Sequence, residues 1–275
     1  MPATAAISLI EEFLDYVLRQ RNYSAHTARA YQADLAQFGL FLLAGDGAAA
    51  LDGPAGKALA ELDDRQLGQM ERSLLGVGHA DVRAYLAMLR SKGNSKATAA
   101  RKLAALRSLY KFLVRSGRLA ASPVAAVRTP KQDKRLPKFL DEAQVEALLA
   151  APQAPGNVAE DASAAKLVLI ARDRAILETI YSAGLRIGEL TGLNVGDMES
   201  GGQTLRVRGK GRKERIVPLG SVAAAAVEEY LRGRDAAFGA SDEPERALFI
   251  NHQGNRLSAR SVRRMLDKYI RQAGL

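Results

Sequence analysis

The sequence predicts a mainly α protein in two parts. The first is an all-α N-terminal domain; the second is mixed α/β, mostly helical with one small antiparallel sheet. Three observations carry this. Apolar residues recur at helical spacing along most of the chain. From Leu205 to Pro218 the period shortens to two on both sides of a glycine-flanked turn, the pattern of a single β-hairpin. Residues 119–138 carry Pro123, Pro130 and Pro137 with no apolar period, which marks a linker between 1–118 and 139–275.

The 275 residues suffice for two cores. There is no cysteine, which excludes disulfides and thiolate metal sites, and three scattered histidines, His26, His79 and His252, make a poor metal cluster. No apolar run reaches membrane-spanning length, so a soluble, cytoplasmic protein is expected. The formal net charge is +10, and its distribution matters more than its size. Residues 101–138 hold eleven Lys or Arg and one acid, Asp133, so one segment carries the whole excess and the remainder is neutral. Such concentration points to a polyanion.

In chain order, Ile7–Gln20 is amphipathic, and Ser24 caps a helix running to about Leu43. Residues 44–78 lack a period and read as a long loop with one short helix near Gln66–Leu74. Asp81–Leu89 is helical. Ser95 caps a helix over Lys96–Ser116 whose Leu103, Leu106, Leu109, Tyr110 and Leu113 form one face. Arg107, Lys111, Arg115 and Arg118 form another, with Arg101 adjoining and Lys96 and Lys102 near its start. A solvated charged face is the usual meaning of such a stripe, but no acid balances this one, which favours phosphate contact. The linker adds Lys131, Lys134 and Arg135, suited to a strap lying along a polyanion. Asp141 and Gln144 form a capping-box pattern. Ala165–Ser182 reads as a buried helix with Tyr181 in the core, and Val222–Leu231 as a further helix. Ala247–Ile250 reads as a short strand, and Ser258 caps a last helix over Ala259–Ala273.

The stretch Tyr181–Gly220 is the most informative. Gly184 suits the left-handed close of a helix, and Leu185, Ile187, Leu190 and Leu193 pin the following turn. Arg186, held between them, offers a planar, permanently charged fork to a phosphate; an ordinary ion pair with Glu189 is the competing reading. In the hairpin, Lys210 stands between two glycines, and six basic residues lie within 206–215, among them Arg208, Arg212 and Lys213.

Together, GLRIGEL and VRGKGRKERIVPLG resemble the first catalytic box and the hairpin lysine of the tyrosine recombinases, the phage integrase family. The resemblance is to the bacterial Xer type, and the N-terminal and linker phrasing is nearer the XerC branch than the XerD branch. YSAHTARAYQADL resembles the core-binding domain of that family, and LPKFLDEAQVEALL the start of its catalytic domain. The resemblance implies that Arg186 and Lys210 are catalytic, that Thr27 and Tyr31 meet the DNA backbone, and that two domains clamp duplex DNA at a recombination site. It implies a covalent 3′-phosphotyrosine with no cofactor and no metal. It also implies a tetramer with a related, XerD-like recombinase and a role in chromosome dimer resolution at cell division. The family further needs His-x-x-Arg, another His or Trp and a tyrosine nucleophile. Residues 139–275 contain no His-x-x-Arg, so the expectation is a form cut before its second catalytic box, binding DNA without cleaving it. A non-catalytic DNA-binding or architectural module, or a type IB topoisomerase-like enzyme, are the alternatives.

Overall fold

Side-chain caps set where the N-terminal helices begin. A computed structural model describes residues 8–44, 62–131, 139–157, 163–199, 202–209, 213–239 and 246–275. The chain falls into two units, Met1–Leu136 and Pro137–Leu275.

In the first unit, α1 (Ser8–Asp15) runs on through a π-helical turn to Gln20. The Thr27 N–H donates to Ser24 Oγ at 3.2 Å, opening α2 (Ala25–Ala44). The short helix expected near Gln66–Leu74 is longer, α3 (Asp64–Leu75), because Asp63 and Gln66 close a reciprocal capping box at 2.7 and 3.0 Å. The rest of the expected loop, residues 45–61, lies outside the described residues. After α4 (His79–Ser91), Ser95 accepts the Thr98 N–H at 3.1 Å and starts α5 (Lys96–Arg115). The apolar face expected for α5 is buried in full: Leu103, Leu106, Leu109, Tyr110 and Leu113 are each at most 1% exposed. They pack with Phe13, Leu35, Phe38, Met70, Leu74, Val82 and Tyr85 into one core. Val124 and Val127, within the stretch expected to be all linker, are buried in the same core. Two valines three residues apart are too short a signal to show a period.

A buried carboxylate ties α2 to α5. Asp34, 3% exposed, accepts from Lys102 Nζ at 3.0 Å and from Arg101 Nη1. Lys102 is itself buried.

The second unit starts with α6 (Glu142–Ala150), whose Asp141–Gln144 capping box forms as expected at 2.9 and 3.0 Å. α7 (Ala164–Ala183) packs along α9 (Ser221–Phe238). Gly184 closes α7 at φ 58°, ψ 37°, the left-handed conformation its sequence position called for. The six-residue α8 (Ile187–Gly192) follows, then β1 (Thr204–Arg208) and β2 (Glu214–Pro218), an antiparallel pair in the register Leu205↔Val217, Val207↔Arg215, Arg208↔Glu214. Last comes α10 (Ala259–Gln272), capped by Ser258. The core joins Ile176, Leu190, Val207, Val227, Tyr230, Phe249, Val262 and Tyr269.

Two expectations fail here. Tyr181 is 64% exposed rather than core, because α7 spends its inward face at that end on Ile176, Leu177, Ile180 and Ala183. The strand expected over 247–250 is reduced to isolated bridges, Asn194↔Ala247 and Ile250↔Arg256: each partner offers one residue, so no ladder extends.

Asp34→Ala should destabilise the N-terminal unit by about 3–5 kcal/mol in denaturant unfolding, since it strands the buried Lys102 ammonium. Asp34→Leu combined with Lys102→Met should recover most of that loss.

Candidate functional site

The site grows from the turn that Gly184 creates. Leu185 buries itself 6% exposed, and Leu190 in α8 is fully buried, so the backbone of Arg186 is fastened on both sides. Its side chain is then free to turn outward, 81% exposed. Glu189, three residues on, reaches back to the Arg186 N–H with Oε2 at 3.0 Å, the reverse half of a capping box. Its Oε1 accepts from Arg186 Nη1 at 3.0 Å. The ion pair that competed with phosphate binding therefore exists, but it engages one edge of the guanidinium and leaves most of the side chain in solvent.

A second arginine, missed in the sequence, completes the group. Arg215 donates Nη1 to Glu189 Oε1 and Nη2 to Oε2, both at 2.9 Å, in fork-on-fork geometry. Its signal was the two-residue period: Arg215 lies opposite Val207, and cross-strand partners share a face of the sheet, here the face turned to the core. In the sequence it was one of six bases in a run that reads as a solvated tip. Gly209 lies beside the pair; a Cβ there would come within 3.6 Å of Arg215 Nη1 and 3.7 Å of Glu189 Oε1. The side-chain bonds from Arg215, with those from Arg186, hold the Glu189 carboxyl down at about 2 from its ordinary 4.5, against the opposing effect of burial.

The remaining expected residues sort into three groups. Lys210, Arg212, Lys134 and Arg135 lie outside the described residues. A second group is held inside its own unit. Lys102 is bound to Asp34, which corrects its assignment as a phosphate contact. Arg208 shares its guanidinium between Asp197 at 3.0 Å and Glu214 at 3.2 Å, fastening β1 to the turn after α8. Arg107 donates to Thr129 Oγ1 and to the Val127 carbonyl, both at 2.6 Å, so it anchors residues 127–129 onto α5. Thr27 is a cap partner of Ser24, and Tyr31 stacks on Phe13, half-buried, with its hydroxyl pKa raised first by burial. The third group faces solvent. Lys111, Lys131 and Lys213 are exposed, as is Arg115, whose Nη1 lies 3.4 Å from the Tyr16 hydroxyl; Arg101 keeps about half its side chain outside. Lys96 and Lys131 line one groove of about 610 Å³ with Arg90, over a floor of Leu86, Ala87, Ala99 and Pro130. The sequence also left unassigned the basic face of α10, where Arg260, Arg263, Arg264, Lys268 and Arg271 are all exposed. Among the described residues, no three His, Cys, Asp or Glu come together as a metal group, and no helix is long and apolar enough to cross a membrane.

Comparison with known proteins decides the family. Residues 138–275 match the phage integrase family, and residues 10–53 and 58–117 match the phage integrase N-terminal SAM-like domain. The tyrosine recombinase XerC of Pelobacter propionicus is 40% identical over 265 residues, 96% of this chain and 74% of that protein. The chain belongs to the phage integrase family. XerC of Myxococcus xanthus is 38% identical over 274 residues, covering 99% of this chain and 79% of the relative. Among solved structures, the XerH recombinase bound to palindromic difH substrate matches with a TM-score of 0.61 at 19% identity, over 97% of this chain and 78% of that one. A lambda integrase tetramer bound to a Holliday junction matches with a TM-score of 0.59 at 17% identity, over 98% and 66%. At these identities the likeness is one of fold, and it bears out the mainly helical class with a two-stranded antiparallel sheet.

Because the folded pKa of Glu189 lies below its unfolded value, its ionic contribution is complete above about pH 4.5 and is lost as pH falls towards about 2. In acid titrations followed by circular dichroism, wild type should be more stable than Glu189→Gln at neutral pH. The pH-dependent part of that difference should be on the order of 3 kcal/mol and should vanish by about pH 2.

Proposed function

We propose that this chain is a Xer-type, site-specific tyrosine recombinase of duplex DNA, serving chromosome dimer resolution in a tetramer with a related, XerD-like recombinase. The observation that carries the reading is the outward guanidinium of Arg186, set on a fastened turn inside the family's matched region. The 40% identity to a XerC over nearly the whole chain supports the Xer assignment.

In this reading residues 1–118 form the core-binding domain, 119–138 the basic strap and 139–275 the catalytic domain. Strand cleavage displaces the 5′ oxygen as a tyrosine oxygen bonds to phosphorus. Negative charge then gathers on the non-bridging oxygens, and fixed donors must hold it. Arg186 supplies such donors. Lys210 is the proton donor to the departing 5′ oxygen. Phosphate contacts along the duplex come from the solvent-facing bases of α5, Arg101, Lys111 and Arg115, with Lys96, Lys131 and Lys213 and the exposed face of α10. Lys102 is left out because it is buried on Asp34, and Arg208 because two carboxylates, Asp197 and Glu214, share its guanidinium, whereas Arg101 meets one carboxylate and keeps half its side chain outside. No His-x-x-Arg lies within residues 139–275, and on this reading these 275 residues are expected to bind DNA without breaking it.

Duplex affinity measured by fluorescence anisotropy should fall steeply with salt. Replacing Lys111 and Arg115 together with alanine should lower the log–log slope by about 1.8, from about 0.9 per phosphate contact. A slope and affinity unchanged from wild type would remove α5 from the interface. Incubated with a nicked site that traps covalent intermediates, the 275-residue chain should give no protein–DNA adduct. An adduct would mean that one of its eight tyrosines is a nucleophile.

A further inference from the structure

Arg215 has no role in the reaction as described, yet it makes the best-formed ion pair of the site. Both of its Nη atoms meet both oxygens of Glu189 at 2.9 Å. Each oxygen also takes one bond from Arg186, Oε1 from Nη1 and Oε2 from the backbone N–H, both at 3.0 Å. The four bonds fill the acceptor sites of one carboxylate. A buried glutamate with a single arginine beside it would take that arginine as a two-pronged fork. Here Arg215 occupies the fork, and Arg186 makes one side-chain contact with 81% of its side chain in solvent.

Charge counting gives the same result. Arg186, Glu189 and Arg215 together carry one net positive charge; without Arg215, the Arg186–Glu189 pair is neutral and attracts an oxyanion weakly. There is also a mechanical consequence. Arg215 belongs to β2 and Glu189 to α8, so their bond fixes the root of the hairpin to the element that follows Arg186.

We propose that Arg215 is a positioning residue for Arg186: by occupying the fork of Glu189 it keeps an edge of the Arg186 guanidinium open to an oxyanion. That the oxyanion is a DNA phosphate rests on the recombinase reading.

Two measurements on the 275-residue chain test this. In duplex binding by anisotropy, Arg215→Met should weaken affinity about tenfold, the size of one charge-assisted contact. Combined with Arg186→Ala it should cost little more than Arg186→Ala alone, because Arg215 acts through Arg186. Glu189→Gln added to Arg215→Met restores the net charge of the group and should bring affinity back to within about threefold of wild type. An arginine that only contacted phosphate itself would give additive losses and no rescue, and either result overturns the proposal. Should Arg215→Met fold poorly by circular dichroism, the Glu189→Gln/Arg215→Met variant carries the test, since it leaves no unpaired buried carboxylate. If that variant binds as weakly as Arg186→Ala, the proposal fails. The second measurement needs no DNA: the side-chain ¹⁵N resonances of Arg186 should shift in Arg215→Met as Glu189 takes the guanidinium in both prongs. Unchanged resonances overturn the role of Arg215 whatever the duplex experiment shows. Shifted resonances with no duplex binding by wild type support Arg215 and reject the recombinase reading instead.

Discussion

A carboxylate taken out of water must have its oxygens paired or it destabilises the fold by several kcal/mol. Glu189 is the place where the C-terminal unit meets that constraint. Its residue is 8% exposed, and its four bonds come from the turn that precedes α8 and from β2 of the hairpin. These bonds join the small helix to the root of the hairpin. The same bonds set the direction of Arg186.

The N-terminal unit solves a similar problem differently. Asp34 is buried between α2 and α5 and draws in Arg101 and Lys102, but here the partners serve architecture: Lys102 disappears from the surface. Arg208 on Asp197 and Arg234 on the carbonyls of Ala247 and Leu248 follow the same pattern in the second unit. The basic residues are thus divided between those that hold elements together and those that face solvent. A net charge of +10 describes the sum and not the division. Only the second group is available to a polyanion; on α5 it includes Lys111 and Arg115, and Arg101 adds the half of its side chain that its bond to Asp34 leaves in solvent.

The sequence alone settled what is decided locally. Ser24, Ser95 and Ser258 cap helices because a side-chain oxygen two or three residues ahead of an N–H needs no distant partner. Gly184 takes the left-handed turn for the same kind of reason, and the apolar faces of α5 and α10 follow from the 3.6-residue period. The arginine held between Leu185 and Ile187 was legible too, along with the family motif around it. What only the tertiary structure decided is which partner each long side chain finds. Tyr181 left the core because neighbouring residues had already filled the inward face of α7. Val124 and Val127 joined a core that their sequence neighbourhood did not announce, and Lys102 was drawn to Asp34 from 68 residues away. Arg215 lies 26 residues from Glu189, and only strand register brings it there. Caps and periods act within a turn or two of chain, where sequence spacing is spatial distance; ion pairs between elements depend on how those elements dock, which spacing does not encode.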